Sequence, residues 1–212
     1  MTELWLIRHG QTDWNLEGRY QGQSDVALNA TGLAQAEALA ATLDGQRFAA
    51  LYSSDLQRAY QTAQIIAARV GLAVQTDVRL REINQGEWQG RTLDEIRTAY
   101  QESAQAKRTL IDPAEARAPG GESVLEVGLR MAQAADDIAG ACPAGPALVV
   151  SHGLALAALY CQAKEIPLRE VYAYIAENTQ AMVIEWRCRH WPGAGWQVPG
   201  PGAEKPSQRR AG

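Results

Sequence analysis

Leu4-Trp5-Leu6-Ile7 runs into Arg8-His9-Gly10, and the same order returns at Pro146-Ala147-Leu148-Val149-Val150 followed by Ser151-His152-Gly153. Each apolar run is short and continuous rather than alternating, the pattern of a strand buried on both faces inside a parallel sheet. In open α/β sheets, ligands bind beyond the carboxyl ends of the strands, near the point where strand order reverses. Both His-Gly pairs are therefore expected at one pocket. A plainer account makes each a packed histidine at a strand end, which explains one such residue more easily than two.

Outward from these runs the chain alternates between the two periods. Leu33, Ala36, Ala40 and Leu43 repeat at helical spacing, with Gly45 as a stop. Ala49-Ala50-Leu51-Tyr52 reads as a second strand, and Ser53-Ser54-Asp55 as possible caps for a helix to Val70 that Gly71 ends. Leu72–Val74 suggests a further strand, and Glu82–Gly90 a loop. Helical patterns cover roughly Leu93–Thr109 and Ser123–Ala139, separated by a loop from Asp112 to Gly121 that suits a lid or rim. An apolar helix follows Gly153, and Tyr172–Ala176 with Ala181–Trp186 reads as a closing strand pair around Glu177-Asn178-Thr179. The expected fold is α/β: a three-layer α/β/α sandwich whose central sheet is mostly parallel. Residues 1–190 form a single domain on this reading. Residues 191–212, with four Pro and five Gly, form a tail, free or pinned to the body by Trp191 and Trp196.

Composition narrows the function. In 212 residues, 20 Lys+Arg against 24 Asp+Glu give a net charge of −4, with no basic block for a nucleic-acid backbone. Cys142, Cys161 and Cys188 are widely spaced, which argues against a disulfide framework or zinc knuckle and for a reducing compartment. The apolar run after Met1 is too short for a signal segment, and no window suits a spanning helix. A cytoplasmic protein is expected.

Arg8 adjoins His9, and Arg58 lies near the start of the helix after the second strand. Two arginines and helix N-terminal amides suit a doubly charged anion, most naturally a phosphoryl group. The alternative for Arg58 is a surface cation paired with Asp55. No Walker loop, no Cys followed by five residues and Arg, no Asp-x-Asp and no G-x-S-x-G occurs. Two arginines beside the histidines would oppose a divalent cation, so no metal is expected, and histidine is left as the nucleophile.

Leu6-Ile7-Arg8-His9-Gly10-Gln11-Thr12-Asp13-Trp14-Asn15 resembles the signature of the histidine phosphatase superfamily, the phosphoglycerate mutase-like family. The resemblance continues through Gly18-Arg19-Tyr20-Gln21-Gly22, Ser53-Ser54-Asp55-Leu56-Gln57-Arg58-Ala59, Leu80-Arg81-Glu82 and Ser151-His152-Gly153, in the family's order. It implies that His9 takes the phosphoryl group as phosphohistidine, that Arg8, Arg58 and His152 hold its oxygens, and that Glu82 acts as general acid and then base. It also implies phosphate contacts from Asn15, Gln21 and the Gly153 N–H. Loop hydrogen bonding is the alternative for Asn15 and Gln21, and a solvated loop carboxylate for Glu82.

Mutases of the family typically follow the acid with Glu-Arg-x-Tyr-Gly. Here the text is Arg81-Glu82-Ile83-Asn84-Gln85-Gly86-Glu87-Trp88, similar to the phosphatase branch, and the interval to His152 is compact. The expectation is a metal-independent phosphomonoesterase without a cofactor, acting on a small phosphorylated metabolite, with no nucleic acid and no membrane. A homodimer stays open. The alternatives are a cofactor-dependent phosphoglycerate mutase and a non-catalytic phosphate-ester binder. His190, beside Trp191, is read as a surface residue, and Trp14 and Trp88 as rim or structural aromatics.

Overall fold

A computed structural model describes residues 1–100, 114–143 and 145–187. Its centre is a five-stranded sheet of order β3-β2-β4-β1-β5, with β1 at Thr2–Arg8, β2 at Ala50–Ser53, β3 at Val74–Thr76, β4 at Ala147–Ser151 and β5 at Ala181–Trp186. β1, β2, β3 and β4 pair in parallel, and β5 lies antiparallel on β1.

Helices cover both faces, as continuous apolar strands require. On one face, Ala40 and Leu43, at the end of α2 (Ala30–Thr42), pack with Ala59, Ala63 and Ile66 of α3 (Gln57–Val70) over Ile7, Leu51, Leu148 and Val150. On the other, Val127, Met131, Ala135 and Ile138 of α5 (Val124–Ala141) pack with Leu156 and Leu159 of α6 (Gly153–Ala163) over Leu4, Leu6, Val149 and Ile184. Short α1 spans Asp13–Leu16, and α4 spans Leu93–Tyr100. Winding reverses where β4 inserts between β1 and β2.

The register of that insertion places the two histidines. Arg8 pairs with Ser151, so His9 and His152 each stand one residue past the end of adjacent parallel strands. The His9 N–H donates to the Ser151 carbonyl at 3.0 Å, and the Ser54 N–H to the Val150 carbonyl at 3.0 Å. Three strand ends therefore open on one place.

Three local expectations need correction. Tyr172–Ala176 is not a strand: Leu168–Tyr174 is a 3₁₀ segment, and β5 pairs with β1 instead. The third strand is Val74–Thr76 rather than Leu72–Val74. Ser53-Ser54-Asp55 do not cap α3, whose N-cap is Leu56 without a side-chain bond. The Asp55 carboxylate is taken by the Arg81 fork instead. The helix predicted to Thr109 is described to Tyr100; Asp112, Cys188, His190, Trp191, Trp196 and the rest of the tail lie outside the described residues.

Candidate active site

Two glycines let the first loop turn under the sheet edge. A Cβ on Gly10 would lie 2.4 Å from the Gly32 carbonyl oxygen, and one on Gly32 would lie 2.1 Å from that of Gln11. The Arg8–Gln11 backbone thus packs against the start of α2 at a distance that only glycine allows. The Gly10 N–H donates to Thr62 Oγ1 of α3 at 3.0 Å. From the opposite side Asn178 Nδ2 donates to the His9 carbonyl at 2.9 Å, and the Thr179 N–H to the Arg8 carbonyl at 3.0 Å.

This clamp fixes the His9 ring. Nδ1 lies 2.7 Å from the Gly10 carbonyl, which can only accept, so Nδ1 carries the hydrogen and Nε2 the lone pair. Nε2 accepts from Arg58 Nε at 3.3 Å. Burial, then the guanidinium groups of Arg58 and Arg8, push the His9 imidazole well below its ordinary value of 6.5. At neutral pH it is an uncharged imidazole whose Nε2 faces one end of a guanidinium.

Arg58 is fully buried on the first turn of α3. Its Nη1 and Nη2 donate to the Ser24 and Gly22 carbonyls, each at 2.7 Å. Burial lowers it to about 10, still charged at neutral pH. Pairing with Asp55 is thereby overturned. Arg8 donates through Nη1 to the Ala176 carbonyl at 2.6 Å and packs over Gly153, whose added Cβ would lie 3.5 Å from Arg8 Cζ and Nε.

His152, fully buried, is the N-cap residue of α6, and its ring stands 5.2 Å from that of His9 between centroids. Its Nε2 is 2.9 Å from Ser54 Oγ. Ser54 Oγ accepts from the Leu56 N–H at 3.3 Å and has one proton of its own, which is free to go to Nε2. The hydrogen of the neutral ring then sits on Nδ1. Burial, followed by Arg58 and His9, pushes His152 well below 6.5 as well.

With His152 making no side-chain cap, the first amides of α6 turn to Glu82. Its carboxylate accepts from the Leu154 N–H at 3.2 Å and the Ala155 N–H at 3.0 Å, with Ile83 N–H at 3.0 Å. Glu82 and His152 are thus fixed to the same helix end. Glu82 is not the solvated loop carboxylate of the alternative reading.

The last two residues differ. Asn15 closes the capping box of α1, its Oδ1 accepting from the Thr12 N–H at 3.0 Å, so its oxygen is used inside the loop. Gln21 precedes the Gly22–Ser24 carbonyls that hold Arg58, and its Oε1 is buried. Among the described residues Gln21 Oε1, Arg8 Nε and His152 Nδ1 are buried without a hydrogen-bond partner. Two of these are donors beside a positive cluster, an arrangement completed by an oxyanion.

Sequence reasoning missed Ser54, Asn178, Thr62 and Arg130 as parts of this site. Ser54 stands inside the quoted motif and Thr62 three residues beyond its end, but nothing in a sequence says where their hydroxyls point.

These features gather two guanidinium groups, two neutral imidazoles and buried unpartnered nitrogens at the carboxyl edge of an α/β sheet, an arrangement suited to an oxyanion. The model of the histidine phosphatase superfamily (branch 1) matches residues 4–198. The chain belongs to that superfamily. It is 36% identical over 199 residues to a probable phosphoglycerate mutase GpmB of Yersinia pestis (strain Pestoides F), covering 93% of this chain and 91% of that protein. Its structure resembles mycobacterial glucosyl-3-phosphoglycerate phosphatase Rv2419c in complex with VO3, at TM-score 0.78 and 33% identity over 90% of this chain and 99% of that one. It also resembles a phosphoserine phosphatase from Entamoeba histolytica, at TM-score 0.70 and 28% identity over 88% of this chain and 92% of that one. No helix among the described residues is long and apolar enough to cross a membrane.

Proposed function

We propose that this protein is a metal-independent phosphomonoesterase acting on a small phosphorylated metabolite through a phosphohistidine on His9. The observation that carries the reading is the convergence of Arg8, His9, Arg58 and His152, with Arg8 Nε and His152 Nδ1 buried and unpartnered. Such donors call for an acceptor, and a phosphoryl group supplies three oxygens.

In this reading His9 Nε2 attacks phosphorus in line with the departing oxygen. Arg8, Arg58, His152 Nδ1–H and the Gly153 N–H hold the three equatorial oxygens, while Gln21 and Asn15 line the approach. Glu82 gives its proton to the leaving oxygen, and the P–O bond breaks as N–P forms. Water then attacks the phosphohistidine, Glu82 takes its proton, and phosphate leaves with His9 restored. Apart from the Arg58 Nε–H, which must turn from the His9 lone pair to a phosphoryl oxygen, the groups stand in place before substrate arrives, so little reorganisation accompanies charge development.

Hydrolysis rather than intramolecular transfer is supported by Ile83-Asn84-Gln85-Gly86 following Glu82 in place of the Glu-Arg-x-Tyr-Gly pattern of the mutases. Relatives named for phosphoglycerate and phosphoserine make phosphorylated three-carbon acids the first esters to try.

The test is phosphate release from a panel of monoesters with chelator present, beside an assay of 3-phosphoglycerate to 2-phosphoglycerate interconversion. Chelator-insensitive release, faster than interconversion, is expected. Interconversion outpacing release would make the protein a mutase, and silence in both would make it a binding protein.

A further inference from the structure

The carboxylate of Glu82 stands in a stretch with little regular structure, Arg81 to Gln85, and something must hold that backbone still. The holder is on α5. Arg130 Nη1 donates to the carbonyls of Arg79 at 2.7 Å and Arg81 at 2.5 Å, and Nη2 to that of Glu82 at 2.9 Å. The remaining two donors meet Glu122, with Nε to Oε1 and Nη2 to Oε2 each at 3.0 Å. All five guanidinium N–H groups are used, which is the full capacity of an arginine.

Glu122 completes the clamp. Its Oε2 accepts from the Asn84 N–H at 2.8 Å, and its own N–H donates to the Asn84 carbonyl at 2.9 Å. The carbonyl skipped by Arg130, that of Leu80, is taken by Ser151 Oγ at 2.6 Å, and Gln23 Nε2 adds a second bond to the Glu82 carbonyl at 3.1 Å. Four consecutive carbonyls, at positions 79 to 82, are thus held by side chains. The pair is only slightly exposed, at 16% for Arg130 and 24% for Glu122, unlike a solvated surface bridge.

We infer that Arg130, oriented by Glu122, is the positioning residue for the acid–base Glu82. The inference rests on the phosphatase reading for what Glu82 does, but its geometric content stands without it. Arg130 touches no reacting atom. It acts by fixing the backbone from which the Glu82 carboxylate reaches both the α6 amides and the leaving oxygen. Proton delivery needs hydrogen-bond reach, so a loosened backbone costs most where the leaving group most needs a proton.

The experiment compares wild type with Arg130→Met and Glu122→Gln in two measurements. The first is amide hydrogen exchange at Leu154 and Ala155, whose N–H groups Glu82 accepts. Exchange about fivefold faster or more is expected in both variants, the loss of about one hydrogen bond, with β4 amides unchanged. The second is kcat/KM toward p-nitrophenyl phosphate, whose leaving group needs little protonation, and toward an alkyl phosphate, whose alkoxide needs a full proton. The alkyl ester is expected to lose more than about tenfold and the p-nitrophenyl ester less than about threefold. Glu122→Gln keeps the arginine in place, and supplies the answer if Arg130→Met fails to fold.

Unchanged exchange at Leu154 and Ala155 overturns the inference whatever the activity. Equal losses on both esters overturn it too, because they mark general damage to the site. A wild type inert toward every ester would instead remove the phosphatase reading, and the exchange result alone would then decide whether Arg130 holds Glu82.

Discussion

Arg58 Nε lies 3.3 Å from His9 Nε2, and both side chains are buried. A guanidinium directed at the lone pair of a neutral imidazole is an unusual pair. It helps hold the imidazole uncharged, and in the proposed phosphatase reaction it stands beside the incoming phosphoryl oxygens. The other two Arg58 nitrogens are tied to backbone carbonyls, so the contact is set by the fold and not by a mobile side chain.

Arg58→Lys keeps the charge but cannot hold the Gly22 and Ser24 carbonyls while presenting a donor at His9. Its kcat/KM toward any accepted ester is expected to fall about 10²–10³-fold, with inhibition by inorganic phosphate weakened in parallel. Steady-state kinetics with phosphate as inhibitor measures both. Near-wild-type values would show that Arg58 has no part in holding the oxyanion.

Ser54→Ala removes the hydroxyl that sets the His152 tautomer. With Nε2 unpartnered, the ring is free to protonate there and turn a lone pair toward the substrate oxygen. A loss of about 5–30-fold in kcat/KM is expected, equivalent to about 1–2 kcal/mol, with the fold intact by circular dichroism. Nitrogen-15 spectra of the histidines should show the Nδ1–H form of His152 depopulated. An unchanged tautomer and unchanged rate would sink the assignment.

His9 and His152 are both held below the ordinary value of 6.5. The unfolded chain therefore binds more protons than the folded one as pH falls through 6.5, and stability is lost on acidification. The slope is up to about 1.4 kcal/mol per pH unit for each histidine. Urea unfolding between pH 5 and 8 is expected to show stability rising with pH to about 7.5 and level above it, with His152→Asn reducing the slope. A flat profile would mean that neither ring is held neutral by the fold.

Gly32 stands away from the chemistry but supports it. Gly32→Ala would force a methyl to 2.1 Å from the Gln11 carbonyl oxygen and push the His9 loop off α2. A loss of about 2–4 kcal/mol in unfolding free energy is expected, with activity falling at temperatures where the protein is still folded. Thermal unfolding followed with and without phosphate checks both parts. A stable, fully active variant would show that the close approach is dispensable.

Much of this arrangement was readable in the residues. Leu4–Ile7 and Ala147–Val150 are continuous apolar runs, and continuous runs followed by His-Gly imply parallel neighbours with their carboxyl ends at one edge. What failed was decided by competition at a distance. Asp55 looks like a cap for α3, but Arg81, 26 residues on, takes its carboxylate with a better-matched fork. Tyr172–Ala176 has strand composition, yet β1 offers only one free edge and Ala181–Trp186 occupies it. Arg130 and Asn178 are invisible in the sequence because the bonds that tie them to the site, three from Arg130 and one from Asn178, go to backbone carbonyls, and no pattern of side chains records where a carbonyl will point.

The proposed phosphatase reaction requires His9 Nε2 to carry the phosphoryl group during turnover. A rapid acid-free quench of enzyme mixed with an accepted ester, followed by phosphorus-31 spectroscopy and peptide mass mapping, tests it directly. The expected result is an acid-labile, base-stable phosphoramidate on the peptide containing His9, absent in His9→Ala, which releases no phosphate. A turnover-competent enzyme with no such adduct, or with phosphate on another residue, would contradict it.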